Sequence, residues 1–451
     1  MAKAEHARIV ALSIWPVASY LLLPYAVLSL LWRALRYRPY AEHWPERFGF
    51  MSRPAGRRII WVHAVSVGEV RSAAALVQAL QSRYPSHTVL VTTMTPTGAE
   101  QVRKLFGGSV EHRYLPYDVP DMVARFLDRI RPELALIAET EFWPNLFAAC
   151  RRRNIPLFLV NVRISASALA GYLRMPQTAR TMFTSAELVC AQTRTDAQRL
   201  RNLGVMESGL FVTGNLKFDA PVPSNVHESG RALRRQWGEG RAIWVAGSTH
   251  AGEESKLLDT YSKLKSLWPS LLLVLVPRNP ERFGSVYRYC RIRRLSVVRR
   301  SAQDGEIPVD VDVVLGDTMG ELQHFYAAAD VAFVGASLVK LGGHNILEAC
   351  AVGVPVVFGP HMFHCEDVAA LAVECGAARQ VYDAAALAEA VDAYLGNAEL
   401  RRAAGVAALR MVEQNCGSLE LTLELVSREM RRLRIASVAA AGLGAVSEAG
   451  G

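Results

Sequence analysis

Polar residues with chemical potential stand where apolar runs end. Ser66-Val67-Gly68-Glu69 follows the run from Arg58 to Val65 and puts a carboxylate in the first turn of an expected helix. Such a carboxylate could take the proton from an attacking hydroxyl, the task of a general base in transfer to an alcohol. A helix N-terminus lowers its basicity and burial raises it, so the sequence leaves that balance open. An ordinary first-turn acidic residue explains the pattern equally well. Glu139-Thr140-Glu141-Phe142-Trp143-Pro144-Asn145 ends a second run, Leu134 to Ala138. Two carboxylates are costly to bury unpaired, so they are expected to face a cleft and a cationic or hydroxylic group. Asn161-Val162-Arg163 and Gly214-Asn215-Leu216-Lys217-Phe218-Asp219 add cations at comparable places. Lys217 or Arg163 could stabilise an acidic sugar or a leaving phosphate.

The second half of the chain carries glycine turns instead. Gly342-Gly343-His344-Asn345-Ile346-Leu347-Glu348 follows the apolar run Val331 to Val334, and Gly353-Val354-Pro355 comes five residues on. A Gly-Gly turn entering a helix lets backbone N–H groups approach a phosphate, and Glu348 could accept from a ribose diol. A Gly pair alone is weak evidence. The ordered set points to nucleotide-sugar binding of the two-domain GT-B kind. Pro277-Arg278 offers a guanidinium for phosphate or base. In Gly316-Asp317-Thr318-Met319-Gly320-Glu321 the backbone could read a base edge, whereas Glu321 could be only a helix-opening carboxylate. Ser248-Thr249-His250 suits a phosphate or a sugar hydroxyl.

These residues need a scaffold that brings strand ends together. Strand-length apolar runs alternate with helical patterns, which predicts α/β architecture with parallel, doubly wound sheets. Ligands of such folds lie at the carboxyl ends of the strands. The expected organisation is two Rossmann-like domains facing a cleft, behind an N-terminal membrane-anchor helix. Residues 1–38 form the anchor and its basic flank, and 39–220 an acceptor-binding domain. A charged linker spans 221–240 and a donor-binding domain 241–411. A helix over 412–434 packs back on the first half, and 435–451, rich in Ala, Gly and Ser, is expected to be disordered. Residues 9–32 carry no charge. As a helix they would reach about 36 Å, enough for the ~30 Å hydrocarbon core. Arg33, Arg36, Arg38 and Arg47 follow, which places the bulk of the chain in the cytoplasm by the positive-inside rule. A cleaved signal peptide fits poorly, because Trp32-Arg33 stands where small residues belong. A full span and a monotopic hairpin broken at Pro16 and Pro24 both remain open.

The chain of 451 residues has 51 basic and 42 acidic residues, a formal charge of +9, and is 51% hydrophobic. This composition excludes disorder and fibrous classes. The charge suits nucleic acid, anionic lipid or a phosphorylated substrate. Seven scattered cysteines without a CxxC pair argue against a disulfide framework or structural zinc.

Together, Ser66–Glu69, Thr92–Gly98, Tyr114–Asp118, Glu139–Asn145, Gly214–Asp219, Val276–Arg282, Gly316–Leu322 and Gly342–Glu348 resemble the motifs of bacterial transferases of Kdo, 3-deoxy-D-manno-oct-2-ulosonic acid. The resemblance spans about residues 8–430 in a single order. It implies a GT-B enzyme at the bacterial inner membrane. This enzyme would move Kdo from CMP-Kdo to lipid IVA, the lipid A precursor, in lipopolysaccharide synthesis, with inversion. It assigns the general base to Glu69 and transition-state stabilisation to Glu139 and Lys217. CMP binding falls to Pro277, Arg278, Met319, Gly320, Glu321, Asn345, Ile346, Leu347 and Glu348, with no metal or other cofactor. A monophosphate needs no diphosphate cage, and the Kdo carboxylate gives Lys217 and Arg163 an electrostatic purpose. An acylated, phosphorylated acceptor matches an anchor and a basic surface at Arg33, Arg36, Arg38, Arg57 and Arg58.

Two tempting signals fail. His361, His364, Cys365 and Glu366 lack a complete ligand set at zinc spacing, and the family commonly has Asn-Phe where His364-Cys365 stands. The basic runs Arg151–Arg153 and Arg291–Arg294 lack the aromatic interleaving of a nucleic-acid groove, so no nucleic acid is expected. The rival classes are a UDP-sugar enzyme of the same architecture and a non-catalytic membrane-tethered module.

Overall fold

Uninterrupted runs of Val, Ile, Leu and Ala are stable as strands only where both sheet faces are covered, which favours parallel pairing under helices. The computed structural model describes residues 14–448 apart from 57, 221 and 304. In it, β1 (Ile59–His63), β2 (Thr88–Thr93), β3 (Glu111–Tyr114), β4 (Leu134–Ala138), β5 (Leu157–Val162), β6 (Leu188–Ala191) and β7 (Leu210–Val212) make one sheet. Its order is β3-β2-β1-β4-β5-β6-β7, and every pairing is parallel. Alternation sends Ile59, Trp61, Ala135 and Leu157 into one core and Ile60, Val62, Leu134 and Phe158 into another on the opposite face.

A second sheet holds β8 (Ile243–Thr249), β9 (Leu272–Pro277), β10 (Val297–Arg299), β11 (Val313–Leu315), β12 (Val331–Val334), β13 (Val356–Phe358) and β14 (Ala378–Gln380). Its order is β10-β11-β9-β8-β12-β13-β14, again parallel throughout. In both sheets the strand order reverses beside the first strand, between β1 and β4 and between β8 and β12. Those switch points leave a crevice outside the carboxyl ends where consecutive helices diverge.

The chain divides into two compact units, one up to Ala220 and again from Cys416 onward, the other Pro221–Asn415. Three expectations need correction. The stretch expected as a linker holds a helix, Val226–Trp237, that belongs to the second unit. Its charges hide a buried stripe at Val226, Gly230, Leu233 and Trp237, the spacing of one helical face. The return to the first unit comes at Cys416 and not at 412, because the preceding helix continues to Asn415. The final helix, Ser418–Glu448, runs past Arg434 through the segment expected to be disordered. Alanine is the strongest helix former, and it outweighs the glycines there. Residues 449–451 of that tail lie outside the described residues, as do 1–13 of the anchor and Arg57 of the basic surface.

An N-terminal helix, Ile14–Arg36, is the one helix among the described residues long and apolar enough to cross a membrane. It docks on the first unit through its opening turns. Trp15 Nε1 donates to Asp118 at 3.0 Å, Tyr20 donates to Asp121 at 2.6 Å, and Ser19 accepts from Asn145 Nδ2 at 3.2 Å. Val17, Leu21, Tyr25, Leu28, Trp32 and Leu35 form an exposed apolar stripe.

Candidate active site

In the first unit, Glu69 sits three residues into the helix Val67–Arg83, which opens directly after β1. Its side chain turns back on the preceding loop. Oε2 accepts from Val65 N–H at 2.6 Å, and Oε1 accepts from the Ser66 hydroxyl at 3.1 Å. These donors favour the ionised form. Burial opposes them, helped by the charges of Glu139 and Glu141, and raises Glu69 to about 8. The balance left open by the sequence therefore falls on the side of a basic carboxylate. His63, closer to the sheet, is fully buried and pushed down to about 3, so it is a poor proton acceptor.

Glu139 ends β4, across the switch point from β1, and its backbone is left-handed at φ 59°. A non-glycine residue pays strain for that conformation, and such strain gathers at functional sites. Its N–H stays on the Val160 carbonyl at 2.9 Å, and the Thr140 hydroxyl donates to the Arg163 carbonyl. Burial, then Glu139, raises Glu141 to about 7. The charge of Glu139 thus acts on both Glu69 and Glu141. Lys217 lies in the 3-10 turn Leu216–Asp219 after β7, and this turn packs against the Glu69 helix. Two asparagines hold it: Asn215 Oδ1 accepts from Lys217 N–H at 3.0 Å, and Asn161 Oδ1 from Leu216 N–H at 3.1 Å. Asn161 is itself left-handed at φ 56°, at the irregularity where β5 shifts register on β6.

In the second unit the marked residues gather at the ends of β11, β9, β8 and β12, four consecutive neighbours. Pro277 closes β9, and Arg278 N–H donates to the Thr249 carbonyl at 3.0 Å, which sets Arg278 beside the Ser248–His250 turn. Met319 and Gly320 are exposed in the loop after β11. Glu321 is half-buried, paired with Arg300 at 2.9 Å and accepting from the Thr318 hydroxyl. Gly342 and Gly343 have φ of 98° and 73°, where only glycine is at ease. A side chain on Gly343 would collide with Met362 Sδ at 2.2 Å. Asn345 Oδ1 accepts from Leu347 N–H at 3.1 Å. Ile346 and Leu347 are buried, so only their backbone can meet a ligand. The helix expected to lend charge to a phosphate is one turn, Leu347–Cys350, and its dipole is correspondingly small.

Three residues organise these loops in ways the sequence does not assign: Glu253 lies outside every marked segment, and Asp118 and Asn161 are marked without this role. Glu253 is fully buried and accepts backbone N–H groups from His250, Ala336, Ser337 and Leu338 at 2.7–3.0 Å. It ties the turn after β8 to the loop after β12. Asp118 caps the helix Pro144–Arg152 by accepting from Asn145 N–H at 3.1 Å and Leu146 N–H at 2.8 Å. Asn161 is the third: the sequence marks it beside Arg163 at a strand end, and its hold on the Leu216 N–H shows only in the fold.

Residues 42–220 match the family model described as 3-deoxy-D-manno-octulosonic-acid transferase (kdotransferase), and 289–411 match that of glycosyl transferases group 1. The chain is 39% identical to the 3-deoxy-D-manno-octulosonic acid transferase of Haemophilus influenzae over 400 residues, 87% of this chain and 92% of that one. It belongs to the Kdo transferase family. The Bordetella pertussis member is 38% identical over 416 residues, 88% of this chain and 95% of that one. Among solved structures, MurG of Acinetobacter baumannii covers 82% of this chain and 99% of its own at TM-score 0.54 and 15% identity. That likeness concerns the fold, the two parallel-sheet α/β domains of GT-B glycosyltransferases. Within a Kdo transferase, the carboxylates at the first switch point and the glycine loop at the second fall in separate units, one matched by each family model.

Proposed function

We propose that the chain transfers Kdo from CMP-Kdo to a hydroxyl of lipid IVA, with inversion and with Glu69 as general base. The observation that carries this reading is the carboxylate of Glu69, raised to about 8 and held at the switch point beside Glu139 and Glu141. A base of that strength can accept the hydroxyl proton as the oxygen attacks the anomeric carbon. The bond to the CMP phosphate breaks on the opposite face, and the phosphate oxygen keeps the electron pair. Lys217 and Glu139 stabilise the transition state, the lysine by meeting negative charge and the carboxylate by meeting the developing positive charge at the anomeric centre. Pro277, Arg278, Met319, Gly320, Glu321, Asn345, Ile346, Leu347 and Glu348 hold CMP. The reading assigns no metal or further cofactor to the reaction.

The same reading makes the N-terminal helix an anchor at the inner membrane, with both domains on the cytoplasmic side. Its docked opening turns favour a monotopic seat over a free span, since Trp15, Ser19 and Tyr20 all make polar contacts with the first unit. The exposed apolar stripe would enter the acyl boundary, and Arg33, Arg36 and Arg38 would meet anionic headgroups. The test is mass spectrometry of lipid IVA incubated with CMP-Kdo and either wild type or Glu69→Ala. Wild type should add the mass of one or more Kdo units. The variant should bind CMP and add none, and wild-type-like turnover by it would overturn the base assignment.

A further inference from the structure

At the switch point of the second unit two histidines touch. His250 follows β8 and His344 lies in the loop after β12. Their Nε2 atoms are 2.9 Å apart, with the rings stacked at 5.1 Å and 18°. Two imidazole nitrogens at that distance share one hydrogen, one donating and the other accepting. Two imidazolium rings cannot make this contact, because both nitrogens would carry protons. A neutral pair can make it, and so can a pair with a single positive charge. The geometry is imposed by the backbone: Glu253 grips His250 N–H and the Ala336–Leu338 loop, and His344 N–H returns to the Gly335 carbonyl at 3.2 Å.

The surroundings decide which state the free protein holds. Burial comes first in pushing His250 below the usual imidazole range, and the charges of Arg282 and Arg278 add to it. Glu254, paired with Arg282, pulls the other way. Two residues before His344, the Gly342 carbonyl accepts from His364 N–H at 3.0 Å, which adds a further titratable group beside that loop. Burial first, and the cations with it, therefore disfavour a proton on His250. An anion seated here would offset both the burial and the repulsion.

We propose that His250 and His344 form a proton-linked phosphate site, taking one proton from solvent when the phosphate of the donor nucleotide binds. The result is an imidazolium–imidazole pair still joined through one hydrogen. The site rests on the reading of this unit as the nucleotide-binding half.

The experiment is calorimetry of the full chain with CMP, cytidine and inorganic phosphate, in buffers of different ionisation heat. It is run above about pH 7.5, where a phosphate monoester is already dianionic. Uptake approaching one proton per CMP, and none with cytidine, is expected for wild type. CMP affinity should fall by up to about tenfold per pH unit, as linkage of one proton requires. His250→Gln and His344→Gln should each abolish the uptake and weaken CMP by about tenfold, the weight of one charge-assisted contact. Cytidine affinity should be unchanged in both, which also reports that they fold. Equal uptake with CMP and cytidine, uptake retained in both variants, or uptake with inorganic phosphate but not with CMP would each overturn the proposal. A wild type that binds no CMP at all overturns the nucleotide reading itself, and the histidine site with it.

Discussion

A carboxylate that turns back onto a helix N-terminus is pulled in two directions, and Glu69 shows which pull prevails. The Val65 and Ser66 donors favour charge, yet burial and the charges of Glu139 and Glu141 raise it to about 8. If Glu69 is the base, kcat/KM for transfer should fall on the acid side of about pH 8, far above the ordinary carboxylate range. Glu141→Gln removes one of the two repelling charges, so this limb should move to lower pH, by about one unit at the scale of a neighbouring charge. Rates measured against pH for both proteins check this, and a limb that stays put would count against the coupling. The shift also bears on stability. The folded pKa lies above the ordinary glutamate value of 4.5, so the neutral acid is the form the fold favours. That contribution is full at low pH and is lost as pH rises through about 8. Glu69→Gln stays neutral throughout. Its thermal stability should gain on wild type by on the order of 2 kcal/mol between about pH 5 and 9, after discounting for partial exposure. Thermal unfolding at the two pH values reads that difference. The sequence made Glu69 a candidate but not its basicity, because that comes first from burial in the folded site and then from Glu139 and Glu141, which follow β4 far along the chain.

The N-terminal helix is an element whose existence was legible and whose docking was not. Its uncharged run is continuous in sequence, whereas Asp118, Asp121 and Asn145, which hold it, lie about a hundred positions away. Asp118 serves two masters: it caps the helix Pro144–Arg152 and accepts from Trp15, while the Trp15 ring meets Phe142 edge-on at 5.1 Å. Phe142 directly follows Glu141. Seating of the helix and the shape of the carboxylate loop are thereby joined. Asp118→Ala should cost about 1–2 kcal/mol from the lost cap, and it should lower kcat more than CMP affinity, since CMP is assigned to the other unit. Trp15→Phe, which removes only the N–H, should lower kcat in the same sense at little cost in melting temperature. Unchanged kcat in both variants would separate the helix from the site. Other elements escaped the sequence for physical reasons. β3, β10 and β14 lie at sheet edges and carry polar residues such as Glu111, Arg299 and Gln380, so their apolar signal is short. The long central strands, buried on both faces, were the readable ones, and they carry most of the candidate site.

At the scale of the whole molecule the chain ends in the unit where it began. Asp219, two residues beyond Lys217, accepts from Gly417 N–H at 2.7 Å and Leu419 N–H at 3.0 Å. The turn that holds Lys217 is thus fastened to the start of the last helix. That helix then buries Leu423, Leu425, Val426 and Met430 among Val70, Val77, Phe158, Val160 and Leu188. Tyr84 closes the contact by donating to Ser427 at 2.9 Å. Four such side chains, at about 1.5–3 kcal/mol each, amount to an upper estimate of 6–12 kcal/mol. This is comparable to the entire stability of an ordinary domain, about 5–15 kcal/mol. A chain truncated after Asn415 should therefore lose the cooperative unfolding of the first unit. The second unit, Pro221–Asn415, contributes none of those side chains and should keep its own transition and its affinity for CMP. Calorimetric scans of full and truncated chains distinguish the outcomes. Two intact transitions after truncation would mean that the last helix is an accessory. Loss of the first alone would show that Lys217 and Glu69 depend on a segment more than 190 residues further along the chain, which no local reading of their motifs could have supplied.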